Sequence, residues 1–147
     1  CIDYYKKELN KEFDYVVLLE PTSPLRERGD VDKAIEILHN HKKAQSIVGI
    51  CATEGSNPAF LVYLHNDFIR PYENTDFSPL RRQDIKPVYF FEGSLYISLT
   101  TALLEHKNFY HELTLGFEVP KWKSFEIDDE DDFAIIQTLA TKYKERL

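Results

Sequence analysis

The stretch "YVVLLEPTSPLRERGDV", residues 15–31, decides how the rest of the chain is read. Its first part is a continuous apolar run, the pattern of a strand buried on both faces of a sheet. Its second part, PTSPLR, matches the Pro-x-x-Pro-x-Arg pattern of a peptide that docks in an aromatic groove. Such a peptide belongs in a polar, disordered stretch. Here YVVLL precedes it and an amphipathic helix follows, with Asp30 as N-cap and Val31, Ala34, Ile35 and Leu38 on one stripe. The segment therefore reads as strand, loop and helix start. It puts the loop at the carboxyl end of a parallel strand, where open α/β sheets bind ligands. The prolines stiffen the loop, Thr22 and Ser23 supply hydroxyls, and Arg26 adds a fixed positive charge. A rigid turn with incidental hydroxyls is the other reading of the same residues.

Working outward, a second apolar strand covers residues 46–53, "SIVGICAT". Strand, helix and strand at this spacing predict a βαβ unit with a right-handed crossover and a parallel sheet. Upstream, Ile2, Tyr5 and Leu9 fall at helical spacing and predict a helix over residues 2–11. The chain opens mid-pattern on Cys1, which reads as a fragment lacking an N-terminal part. Residues 58–92 are rich in Tyr, Phe and Pro and predict an antiparallel insertion, with strands near residues 60–64 and 88–98. Such an arm either makes subunit contacts or forms an irregular substrate-side loop. A helix over residues 101–107, an extended piece at 115–119 and a final helix follow. The final helix carries Phe133, Ile136, Ala140, Tyr143 and Leu147 as its core stripe.

At 147 residues the chain is one α/β domain with room for a core. A formal net charge of −7 argues against nucleic acid, whose binders show a basic patch. No run of about 18 apolar residues predicts a membrane span. Two cysteines are too few for a disulfide framework or a zinc site, which fits a reducing cytoplasm. Aromatic residues make up 14%, and core filling accounts for most of them, with a sugar-facing cleft as the alternative. The five histidines show no metal-ligand spacing, and most read as surface residues.

Three further stretches carry candidate chemistry. In "FEIDDEDDF", Glu126 and Asp128 are two apart, so on an extended strand they share a face with Cβ atoms about 6–7 Å apart. That suits one hard cation such as Mg²⁺, which takes one or two carboxylates plus phosphate oxygens and water. The competing reading, an N-cap with an acidic first turn, is the stronger one for this run alone. In "LRRQDIKP", Arg81, Arg82 and Gln83 can grip a carboxylate, or form a solvated basic turn. In "YFFEGSLYIS", Gly93 within a strand marks a bulge or close backbone approach, or a mere kink.

Taken in order, "LLEPTSPLR", Arg81-Arg82-Gln83, "EGSLYIS" and "EID" resemble the motifs of the acylneuraminate cytidylyltransferases, covering Asp14 to the C-terminus. The resemblance implies a Rossmann-like fold of the nucleotide-diphospho-sugar transferase type. Here it would be a truncated parallel-core sheet with the antiparallel insertion as a dimerisation arm. It implies transfer of CMP from CTP to a nine-carbon sugar acid, release of pyrophosphate, a divalent metal (Mg²⁺), a homodimer and a cytoplasmic setting. By motif matching, Glu126 and Asp128 would hold metal, and Arg82 and Asp128 would be catalytic. Glu20, Thr22, Ser23, Arg26, Arg81, Gln83, Glu92 and Gly93 would shape the substrate pocket. Glu20 stands where the family has Gln, Glu92 where it has Asn, and Glu126 where it has Asp. These departures open the choice of sugar acid to legionaminic, pseudaminic or Kdo types. They also support a rival of another class, a non-catalytic dimerisation or binding module. The family's phosphate-binding loop has no counterpart in these residues, so the fragment alone is expected to be inactive.

Overall fold

A computed structural model describes residues 1–53, 55–72 and 81–147. Among these residues six strands and four α-helices follow one another: α1 (Ile2–Leu9), β1 (Tyr15–Leu18), α2 (Asp30–Asn40), β2 (Ser46–Ala52), β3 (Val62–His65), β4 (Phe68–Pro71), β5 (Tyr89–Leu99), α3 (Thr100–His106), β6 (Thr114–Glu118) and α4 (Glu130–Lys142). The main sheet has the order β1-β5-β2-β6, and β3 and β4 form a separate hairpin.

The sheet is mixed, which corrects the expected parallel core. Both β1 and β2 pair antiparallel with β5, and only β2 and β6 pair in parallel. β1 and β2 thus point the same way and are joined through α2, but they are not neighbours. β5 returns from the insertion in the opposite direction and slots between them, long enough at 11 residues to bond on both edges. β1 therefore lies at a sheet edge among the described residues. Val17 is 37% and Leu18 43% exposed, against the expectation of a strand covered on both faces.

α2 closes one face of the sheet because its stripe is apolar at helical spacing. Ala34 and Leu38 pack on Ile47, Leu95 and Ile97, with Tyr15, Val31, Ile35 and Phe117 around them. The helix begins one residue differently from the sequence reading. Gly29, at φ 85°, is the N-cap, and Asp30 is the first helical residue, buried at 3% exposure. In α4 only Ile136 is fully buried and Phe133 is 55% exposed, so the predicted core stripe is cut short. Tyr143 packs instead by stacking on Trp122 at 4.0 Å.

The middle segment forms an antiparallel hairpin of β3 with β4. Asn66 and Asp67 both take positive φ (47° and 65°), the backbone of a tight two-residue hairpin turn, and set the β3–β4 register. The hairpin projects apolar side chains into solvent, with Leu64 75% and Phe68 67% exposed. Many aromatic residues therefore lie outside the core, contrary to the core-filling reading. The last residues of the expected insertion, from Tyr89, belong to β5 and the main sheet. Residues 73–80 lie outside the described part of the chain. Most of the histidines are at the surface, as expected: His39, His41, His65 and His106 are exposed, while His111 is half-buried, stacks on His106 at 4.1 Å and reaches the buried Ser46 hydroxyl.

Candidate functional site

The site begins with a fault in the ladder. Val48 pairs with Tyr96, but Ile50 pairs with Phe91, so residues 92–95 of β5 face the single residue Gly49. Extra residues on one strand leave peptide groups without a ladder partner, and buried peptide groups need partners. Side chains supply them. The Gly93 N–H donates to Glu126 Oε1 at 2.7 Å, and the Ser94 N–H donates to Glu92 Oε2 at 3.2 Å. Arg26 Nη1 donates to the Ser94 carbonyl at 3.2 Å.

The same Arg26 nitrogen donates to the carbonyls of Ser23 (2.5 Å) and Glu20 (3.1 Å). Its guanidinium therefore staples the PTSPLR loop onto the bulge. Leu25, 1% exposed, plugs the loop into the core, and Ser23 is equally buried. The acidic segment is tied on from the other side, since the Ile127 N–H donates to the Thr22 carbonyl at 2.9 Å. Three stretches far apart in sequence thereby meet at Gly93. A Cβ built on Gly93 would lie 2.4 Å from Glu20 Oε2, 2.4 Å from Ser23 Oγ and 2.7 Å from Glu126 Oε1. Only glycine leaves room for that approach. Ser23 Oγ also donates to Glu126 Oε1 at 3.3 Å.

Charge in the site is one-sided. Among the described residues no cation pairs with Glu20 or Glu126. The Glu20 carboxylate and the second Glu126 oxygen have no protein donor there. Tyr96, three residues after Gly93, feels this field. Burial first, then Glu20, Glu126 and Glu92, push its hydroxyl pKa up to about 12, so it stays a neutral donor. Glu92 is fully buried, with its carboxyl against Gly49, where a Cβ would come within 1.8 Å of Oε1. Burial raises its pKa; hydrogen bonds from Ser94 and the charge of Lys123 oppose that without cancelling it.

This shift carries a sign. A carboxyl whose folded pKa lies above its unfolded value of 4.5 favours folding below that value and loses the contribution as pH rises through the folded pKa. Glu92→Gln, which keeps the shape and stays neutral, is therefore expected to gain stability relative to wild type as pH rises. Urea-denaturation midpoints from pH 4 to pH 8 measure it; a difference that is flat with pH would contradict the raised pKa.

The structure brings Glu20, Ser23, Glu92, Gly93 and Glu126 together. Thr22 contributes its carbonyl, and its side chain is exposed. Arg81 and Gln83 are exposed at the start of a one-turn 3-10 helix (Arg82–Asp84), and the Arg82 side chain lies outside the description. Asp128 is exposed, so it does not share a strand face with Glu126; residues 124–127 are not a strand. Asp129 is the N-cap of α4, accepting from the N–H groups of Asp131 and Asp132. Among the described residues no three His, Cys, Asp or Glu side chains form a metal cage. Sequence reasoning passed over Tyr96 and Lys123, and gave Asp30 only the part of an N-cap. Tyr96 was reachable, since the bulge at Gly93 places its neighbours on the site; nothing in the sequence paired Lys123 with Asp30.

No protein-family model matches the chain. The N-acylneuraminate cytidylyltransferase of Streptococcus agalactiae serotype V is 30% identical over 126 residues, covering 86% of this chain and 29% of that protein. The enzyme of the same name from Escherichia coli is 27% identical over 143 residues, 95% of this chain and 33% of its own length. The CMP-N,N'-diacetyllegionaminic acid synthase of Legionella pneumophila is 27% identical over 144 residues, 96% of this chain and 60% of its length. The molecule is thus an α/β protein with a mixed sheet and an acidic cluster at the bulge within β5. It is related to the acylneuraminate cytidylyltransferases along most of its length, and spans about a third of those two.

Proposed function

We propose that the full-length protein transfers CMP from CTP to a nine-carbon sugar acid of the sialic or legionaminic type, releasing pyrophosphate. The observation that carries this reading is the meeting of Glu20, Ser23 and Glu126 at Gly93. These are the stretches whose motifs resemble the family, and relatives named for this chemistry match the chain. In the reaction the anomeric hydroxyl attacks the α-phosphorus, and the bond to the β-phosphate breaks. The fold in this reading is Rossmann-like, of the nucleotide-diphospho-sugar transferase type. Two copies pair through the apolar β3–β4 hairpin, and the setting is the cytoplasm.

The donor set suits Mg²⁺, which takes hard oxygen ligands and needs only one or two from protein. Glu126 would offer the oxygen that no protein group occupies, and Asp128, an exposed carboxylate close by in sequence, would help hold the ion. When bound, the ion neutralises phosphate charge and aligns attack with departure. Glu20, an acceptor only, takes hydrogen bonds from sugar hydroxyl or N–H groups, while Tyr96 donates. Arg81, Arg82 and Gln83 take the sugar carboxylate, keeping it away from Glu20. Arg26 and Thr22 hold the loop in shape through its backbone.

A panel of N-acetylneuraminate, diacetyllegionaminate, pseudaminate and Kdo, each with CTP and Mg²⁺, tests the assignment. At least one of the nine-carbon acids is expected to give a CMP-sugar, with Kdo turned over at least tenfold more slowly. Kdo as the best substrate, or no product from any acid, would contradict it.

A further inference from the structure

The most deeply buried cation among the described residues has no part in the chemistry above. Lys123 is 2% exposed, three residues before Glu126. Its ammonium donates to the Asp30 carboxylate, itself 3% exposed, and to Glu27 Oε2 at 3.3 Å. Asp30 also accepts the backbone N–H of Glu27 at 2.7 Å. Glu27 directly follows Arg26, the staple of the PTSPLR loop, and its other oxygen accepts from Arg146. Burial alone would raise the Glu27 pKa, but hydrogen bonds from Arg146 and Lys123 outweigh it and hold it down.

Segment 121–128 is therefore fixed to the loop at two points that bracket Glu126, while Glu126 itself accepts the Ser23 hydroxyl at 3.3 Å. One is the Lys123 ammonium on Asp30 and Glu27; the other is the Ile127 N–H on the Thr22 carbonyl. Between them Glu126 reaches the Gly93 N–H. Among the described residues Ser124 bonds only back to Lys121, so it adds no tether to the loop. Desolvating an ammonium is costly, and a buried ion pair is often no more stabilising than apolar side chains of the same volume. Its retention is better explained by geometry than by stability.

The geometry points to Lys123 as a positioning residue that, through Asp30 and Glu27, sets Glu126 on the Gly93 amide. This rests on the proposed reaction for its kinetic consequence, though not for its structural one. Lys123→Met alone would strand the buried Asp30 carboxylate, so the informative variant is Lys123→Met with Asp30→Asn. That pair removes both charges and keeps an acceptor for the Glu27 N–H.

In the full-length protein, hydrogen exchange of the Gly93 amide is expected to quicken at least tenfold in this variant. Exchange at Ile47 and Ile97 should stay within about twofold of wild type. If the protein transfers CMP, kcat falls at least tenfold with KM for CTP unchanged. Unchanged Gly93 exchange would overturn the inference. So would equal loss of protection at Ile47 and Ile97, which would make the pair a general support of the fold. The exchange measurement uses no substrate. A protein without transferase activity would end the functional reading and leave this inference to be decided at the Gly93 amide.

Discussion

Gly93→Ala is expected to abolish most activity of the full-length protein, at least a hundredfold in kcat/KM, while leaving the fold in place. The new methyl group would overlap two carboxylate oxygens and the Ser23 hydroxyl, all at 2.4–2.7 Å. Glu20 and Glu126 have flexible ends and can swing aside, so the stability cost should stay near the lower end of core overpacking, about 1–2 kcal/mol. Swinging aside, however, takes Glu126 off the Gly93 N–H and Glu20 out of the pocket. Misplacing a reacting geometry by about 1 Å can cost a hundredfold. Circular dichroism melting beside initial rates separates the two effects. Activity within a few-fold of wild type would mean the chemistry lies elsewhere.

Glu126→Gln is the second large effect, and it isolates charge from shape. The amide oxygen can still accept the Gly93 N–H that Glu126 Oε1 accepts at 2.7 Å. The substitution is nearly isosteric, so stability should shift by less than about 1 kcal/mol. What disappears is the negative charge proposed to face the metal and the phosphates. Groups that stabilise developing charge cost about a hundred- to a thousandfold when removed, and a fall in kcat of that order is expected. A larger Mg²⁺ concentration should be needed for half-maximal rate. A variant with full kcat and an unchanged metal requirement would remove Glu126 from the chemistry.

The local pieces of this site were legible in the sequence, and their assembly was not. The apolar run ending at Leu19, the helix stripe through Ala34 and Leu38 and the glycine inside β5 follow from periodicity and residue type. Gly93 turned out to be both a bulge and a close approach, because the bulge turns its N–H toward Glu126. Strand order depends on which edges find partners across long separations. The placement of β5 between β1 and β2 therefore left no trace in local pattern. The acidic run shows the same limit, although its N-cap reading holds at Asp129. Spacing joined Glu126 to Asp128, but the segment is not a strand, and the oxygens that approach Gly93 come from Glu20 and Glu126, over a hundred residues apart. Lys123 and Asp30 illustrate the limit most clearly, since a lysine among aromatic residues reads as surface until the fold supplies its carboxylate.

The most direct test is to follow CTP, pyrophosphate and sugar nucleotide together in the full-length protein with N-acetylneuraminate or diacetyllegionaminate. The expected result is one pyrophosphate and one CMP-sugar for each CTP consumed, abolished by chelation of the divalent metal and restored by Mg²⁺. CTP left intact with either acid, or consumed without a CMP-sugar, would contradict the account and favour a module that only binds.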